Sequence, residues 1–435
     1  MLSFVLAAGL VLSALPPGPP VRHYRLTVEI DPAMHHISVR GRLEGRPCGT
    51  EGKLYLNQAF RLTSFRVAGR ETPVRVDSTA PPTQWTEVTR PLVFECRPGA
   101  IEFAYEGEVR DTIARVNLIA PGLVELALYS GWYPRDPALG AFTYEVELAL
   151  PAGWTVVTGG RVLSTHTSAN RQRTRFVSAA AGTDLALVAS PVLVVRRARS
   201  GAAAVEVYAP AADSALATSA SAQLGEALRL YGDWFGAART GSLPTRLVYS
   251  PRSGWGYSRL PLIAVSADGA RSWSGRPMGE ARIFAGNAHE LAHFWWQIAD
   301  TKTDDWINEG LAEFSSFSAA GVLFGDAMRD TLLAGYRRDA ARARTTTPIA
   351  TTTSDSPDRY VNHYEKSALL FAAVERRVGQ PALASFLRSF YAAHAGRRDA
   401  TTAGFLADAG RALGGDVAGR LERCLTTPWT DDCGQ

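Results

Sequence analysis

The stretch His289-Glu290-Leu291-Ala292-His293 constrains this chain more than any other. Two imidazoles four residues apart converge on one ion only if a helix places them a turn apart on the same face. Glu290, one position on from the first His, can then lean toward a water held by that ion. The mechanical reading of the pattern is zinc bound by His289 and His293, with Glu290 as general base. Such a centre also needs a third protein ligand and an open position for water. The fold must therefore bring a second element to this helix face. Glu309, within Trp306-Ile307-Asn308-Glu309-Gly310, opens another helix-like run and is the natural candidate. Helical His pairs also occur as packed or solvent-facing residues, so the surroundings have to decide.

The surroundings favour a buried helix. Ile283, Phe284, Leu291, Phe294, Trp295 and Trp296 give the pair an amphipathic setting, with a helix expected over about 284–299. A metzincin would need Gly at 296 and a third His at 299, where Trp296 and Ala299 stand, so that class is excluded. Glu313, one turn after Glu309, could orient a ligating His, or be a solvent-facing helix charge.

The remainder divides by texture. From 21 to about 195 the chain reads as strands. Residues 24–30 and 143–150 alternate apolar and polar, and shorter runs fall at 54–56, 92–94 and 185–188 between Gly and Pro. Strand upon strand without an amphipathic helix argues for an antiparallel saddle or sandwich. Past Arg199-Ser200-Gly201, residues 214–235 carry Leu216, Leu224, Leu228 and Tyr231 on one stripe. Strand-like pieces at 246–249 and 262–265 follow. Helices are then expected over 309–324, 326–341, 360–378, 381–393, 401–413 and 417–424, with a loop at 344–358. Three parts result: a leader at 1–20, a β domain at 21–200 and a mostly helical α+β domain at 201–435.

Charge is nearly balanced, 46 Lys and Arg against 42 Asp and Glu, and gives no case for a nucleic-acid partner. Leu2 to Leu15 is apolar and is broken by Pro16-Pro17-Gly18-Pro19-Pro20. That is shorter than the roughly 20 residues of a membrane span and reads as a secretory signal peptide. A buried N-terminal segment, or a start placed too early, is the alternative. Nothing later is apolar enough for a stable membrane span. Four cysteines in two separated pairs suit disulfides Cys48–Cys96 and Cys424–Cys433 in an oxidising compartment, hence a periplasmic or secreted protein. Four buried thiols would be the other reading.

Residues 289–310 resemble the zinc signature of the aminopeptidase N family of gluzincins, whose fold is thermolysin-like and whose second helix supplies a Glu inside Asn-Glu-Gly. Fifteen residues separate His293 from Glu309, against the family's eighteen. His363-Tyr364-Glu365-Lys366-Ser367 is similar to the family's Tyr-Glu-Lys-Gly segment, with Ser367 for Gly; by resemblance Tyr364 donates its hydroxyl to the oxyanion. Residues 24–30 and Trp132-Tyr133-Pro134-Arg135-Asp136 look like the family's N-terminal β-saddle. In the family a Gln or Glu nine residues before that Pro faces the substrate amine, and Glu125 holds that place.

One motif departs. The family's Gly-x-Met-Glu-Asn is replaced by Gly254-Trp255-Gly256-Tyr257-Ser258-Arg259. Aligned on Gly254, Tyr257 stands where the amine-binding Glu belongs; aligned on Gly256, Arg259 does. Burying a free α-ammonium without an anionic partner is costly. The resemblance implies a one-zinc peptidase acting on a peptide or protein, aminopeptidase-type but with altered amine recognition around Glu125, Gly256 and Tyr257. An endopeptidase of the same fold, or a non-catalytic binding protein on a peptidase scaffold, is the alternative.

Overall fold

The computed structural model describes residues 22–435 apart from 47, 78–87, 137–139, 202, 241–242 and 344; the expected leader lies outside the described residues. The alternating N-terminal segments become a large sheet. Its eight strands run in the order Gly160–Ser168, Arg171–Ser178, Phe142–Pro151, Arg22–Asp31, His36–Glu44, Ile101–Glu108, Arg61–Val67, Arg70–Glu71. Pairing is antiparallel except where Arg22–Asp31 lies parallel to Phe142–Pro151. The alternation does its work here: Tyr24, Leu26, Val28 and Ile30 point inward and their neighbours outward. A three-stranded sheet (Glu51–Asn57, Thr89–Glu95, Val74–Val76) and a four-stranded one (Thr155–Thr158, Leu187–Ser190, Leu123–Leu126, Leu118–Ala120) complete this part.

A mixed five-stranded sheet follows, in the order Leu193–Ser200, Ala203–Pro210, Thr245–Ser250, Leu262–Ser266, Tyr257–Arg259. Leu193–Ser200 and Ala203–Pro210 form one hairpin. The boundary expected at 200/201 thus falls at its turn, and the first strand sits with the helical half. The helix Ser214–Phe235 packs on this hairpin, and its apolar stripe enters a core shared with the helices that follow.

The helices at Asp326–Arg342, Gln380–His394, Thr402–Leu413 and Gly415–Thr426 match the expected spans closely. Three differ. The His-bearing helix runs Gly279–Ala292 and stops at His293, its C-cap. Beyond it Phe294 and Trp295 close tight turns, and the indoles of Trp295 and Trp296 point into the protein: Trp295 donates to Gly236 O (2.8 Å) and Trp296 to Ser315 Oγ (2.9 Å). Two buried tryptophans with placed N–H groups override the helical period. The next helix starts early, at Asp305, and runs to Phe324. The span expected at 360–378 opens with a π-helical turn, Tyr360–Lys366, before Ser367–Val378 becomes α-helical. Both expected disulfides form, Cys48–Cys96 and Cys424–Cys433. Among the described residues no helix is long and apolar enough to cross a membrane.

A separate buried cluster, including Leu123, Tyr129, Val188, Val248, Tyr257 and Leu262, seals the four-stranded sheet against the five-stranded one. The candidate site lies beside this seam.

Candidate metal centre

The helices Gly279–Ala292 and Asp305–Phe324 pack on each other. They bring His289, His293 and Glu309 together, one ligand atom from each within 4.8 Å of the others. Glu309 Oε2 lies 3.4 Å from His289 Nε2 and 3.3 Å from His293 Nε2. Tetrahedral zinc with bonds of about 2.0–2.1 Å sets its ligand atoms roughly 3.3–3.4 Å apart. Glu309 Oε2 is buried and has no hydrogen-bond partner, which is the condition of an atom left for an ion. The donor set fits zinc.

The supporting contacts come from Asp305–Phe324, the helix Asp326–Arg342, the residue that caps the π-turn and the turn after His293. Arg359 donates to the other oxygen of Glu309, Oε1 (3.0 Å), and to Asp305 Oδ2 (2.7 Å), so Glu309 turns only Oε2 to the imidazoles. Glu313 Oε2 sits 2.6 Å from His289 Nδ1, within ion-pair range though not aligned as a hydrogen bond, and its other oxygen accepts from Tyr336. His293 Nδ1 lies 3.2 Å from Trp296 O, which sets the ring. Asn308 fixes the linker between the helices: its Oδ1 accepts from the N–H groups of Ile298 and Ala299 at 3.0 Å each. That clamp ties the fifteen-residue connection between His293 and Glu309 back onto the start of the second helix. Gly310 leaves room for the crossing π-turn, because a Cβ there would collide with Ser367 Cβ. The Gly of Asn-Glu-Gly and the Ser at 367 are thus one packing contact.

Tyr364 stacks on His289 with ring centroids 5.6 Å apart, and Arg359 lies 5.4 Å from the Tyr364 ring. Burial first, and then Glu309, push its hydroxyl well above the usual range, so it stays a donor. Glu290 is partly exposed and has no hydrogen bond or ion pair among the described residues. Burial raises its carboxyl, against the opposing pull of His289 and His293. Gly256 lies against it: a Cβ at that position would stand 2.7 Å from Glu290 Oε1. In the two histidines burial lowers the pKa, but carboxylates win and raise both, Glu309 and Glu313 at His289 and Glu309 at His293. This dense negative charge is what a divalent cation neutralises.

Of the residues expected around the substrate amine, Glu125 is already paired. Glu125 is fully buried, and both its oxygens are engaged: Arg252 Nη2 at 2.7 Å and Nε at 2.9 Å, with Ser250 Oγ at 2.5 Å. Its charge is already matched, so it does not offer the free carboxylate that an ammonium would need. Arg252 also donates to Ser253 O and Trp255 O, and so braces the loop leading to Gly256. Tyr257 is buried with its hydroxyl unpartnered, and it packs edge-on to Tyr129. Arg259 is locked by Asp184 (2.6 Å) and the Tyr129 hydroxyl (2.8 Å), and Tyr133 donates to the same Asp184 (3.0 Å).

Sequence reasoning missed Arg252 and Arg359 as site residues, along with Asp184 and Tyr336, and met Arg259 only as one alignment of the amine position. Each acts with a partner 23 to 127 positions away, and hydrophobic periodicity is silent on such pairs. The available signal was the presence of Arg252 and Arg259 beside segments otherwise apolar enough to be buried strands, since buried charge demands a counter-ion.

No family model matches the sequence, and no curated protein matches it significantly. Solved structures do. The M1 zinc metallopeptidase from Deinococcus radiodurans superposes with a TM-score of 0.73 at 20% identity, over 93% of this chain and 94% of that one. A point variant of an M1 zinc metallopeptidase from the same organism, bound to a Tyr-Ser-Ala substrate, gives 0.73 at 19% over 94% of both chains. A two-domain M1 zinc metallopeptidase variant bound to L-tryptophan also gives 0.73 at 19%, over 94% and 95%. The fold of this chain, a sheet-rich N-terminal part followed by a helical one, is that of a two-domain M1 peptidase.

Proposed function

We propose that this protein is an exported zinc metallopeptidase, with His289, His293 and Glu309 holding one ion. Glu309 Oε2 carries the reading: it is buried, unpartnered, and tetrahedral-edge distances from two imidazoles. Bound zinc supplies Lewis acidity, lowering the pKa of a water toward about 7 and polarising a carbonyl. The chain's own residues then manage protons and position. Glu290 takes the proton of the attacking water and passes it to the leaving amine, for which a carboxyl raised by burial is well matched. Tyr364 donates its hydroxyl to the oxyanion. Glu313 holds the His289 ring, and Arg359 keeps Glu309 turned toward the histidines. Gly256 leaves the space in which Glu290 works. Two disulfides support an oxidising compartment.

The occupied charge of Glu125 favours a peptidase that does not rely on the family-type amine clamp, and hence endopeptidase action beside aminopeptidase action. The test is metal analysis with two fluorogenic peptides, one with a free N-terminus and one acetylated. The expected result is one zinc per chain and cleavage of both. Glu290→Gln should keep the zinc and lose about 10²–10⁴-fold in turnover. A fully active Glu290→Gln removes the base assignment, and a protein with neither zinc nor cleavage removes the peptidase.

A further inference from the structure

A cavity of about 390 Å³ opens between the two halves, and its lining includes His293, Gln297 and Arg259 together with Arg239, Arg397 and Arg398. Its size is that of a small-ligand site, and His293 joins it to the metal centre. The charge of the lining is lopsided. Arg259 is matched by Asp184, and Arg397 by Asp399. Arg239 and Arg398 form no ion pair among the described residues; Arg398 makes a single side-chain contact, to the neutral Thr183 Oγ1 at 3.2 Å. Arg398 is exposed at the rim, yet its guanidinium is held below the usual value by desolvation first and then by Arg259 and Arg135. Asp300 and Asp305 pull the other way, each less than either arginine. At the position where the resembling family keeps an amine-binding carboxylate, this chain has no acid: Tyr257 stands there when the motif is aligned on Gly254, and Arg259 when it is aligned on Gly256.

Resting on the zinc-peptidase reading, we propose that this cavity is a substrate subsite for a peptide carboxylate, with Arg398 and Arg239 as the residues that bind it. An arginine fork suits a carboxylate, and such charge-assisted bonds are about twice as strong as neutral ones. An ammonium entering the same cavity meets Asp184, whose charge Arg259 already takes, and otherwise cations. The carboxylate can come from a chain end or from an acidic side chain.

The test uses zinc-loaded protein carrying Glu290→Gln, so that peptides survive titration calorimetry. Three probes suffice: tetra-alanine, its C-terminal amide, and the amide of Ala-Ala-Asp-Ala. At least one carboxylate peptide should bind about tenfold more tightly than the plain amide, by a preference that shrinks as salt rises. Tight binding of tetra-alanine alone identifies the chain end; tight binding of the Asp amide alone identifies the side chain. Arg398→Gln with Arg239→Gln should abolish the preference, while Arg398→Lys keeps part of it. Equal binding of all three peptides, or a preference that survives the double variant, overturns the subsite. Cleavage by the unsubstituted protein is scored separately. Cleavage without carboxylate preference sinks the subsite and leaves the peptidase, and preference without cleavage does the reverse.

Discussion

At the scale of single residues the site depends on small, unforgiving spaces. Gly256 is the clearest. Its missing side chain lets the strand edge lie on Glu290, and a methyl there would stand 2.7 Å from the carboxylate oxygen. Glu290 is flexible enough to swing aside, so Gly256→Ala should fold and bind zinc normally. Its turnover should still fall, on the order of tenfold, because the base would be misplaced by about an ångström. Steady-state kinetics beside metal content checks this; unchanged turnover would show that Glu290 does not work in that space. Arg359 is the complementary case, a charge rather than a space. It holds the Glu309 oxygen that faces away from the histidines and lies against the Tyr364 ring. Arg359→Ala should weaken zinc affinity about 10–100-fold, the usual cost of losing a residue that orients a ligand. Competition with a chromophoric chelator measures it, and an unaltered affinity would assign Arg359 to Asp305 alone.

At the scale of elements, what could be read in advance followed the reach of each signal. His289 and His293 obey the helical period, and Glu309 opens an amphipathic run, so all three were legible from spacing. The alternation of 24–30 and 143–150 likewise exposed strands buried on one face. The end of the His helix was not legible, because Trp295 and Trp296 continue the apolar pattern while leaving the helix to reach Gly236 and Ser315. Nor was the π-turn at Tyr360–Lys366, where the local bonding departs from α while the residue pattern stays helix-like. That turn lets Tyr364 face His289 while Asn362 and His363 reach back to Thr352. Such turns concentrate at functional sites. The pairs Glu125–Arg252 and Asp184–Arg259 were illegible for a different reason. Their partners lie on separate halves of the chain, and only the assembled seam brings them into contact.

At the scale of the molecule, the seam between the halves is polar as well as apolar. Arg246 reaches Thr158 O and Gly160 O at 2.7 Å each, and its Nε lies 3.2 Å from Glu206. Burial acts to raise the Glu206 carboxyl, but Tyr208, Arg197 and Arg246 together hold it below its ordinary 4.5. A carboxyl lowered by folding contributes stability that is full above its unfolded value and fades as pH falls through the folded one. Resistance to thermal unfolding should therefore weaken below about pH 4.5, and Glu206→Gln should lose that part of the acid dependence and unfold at a lower temperature near neutrality. An unchanged acid limb would place the sensitivity elsewhere. The seam has one more consequence. Arg252 and Arg259, on the helical side, find their counter-ions Glu125 and Asp184 on the β side. Either half alone would carry orphaned charges on the face it uses to meet the other. The two halves are therefore not interchangeable modules. A chimaera that borrows its β half from a relative must import matching acids at 125 and 184, or its cleft will be built around unneutralised arginines.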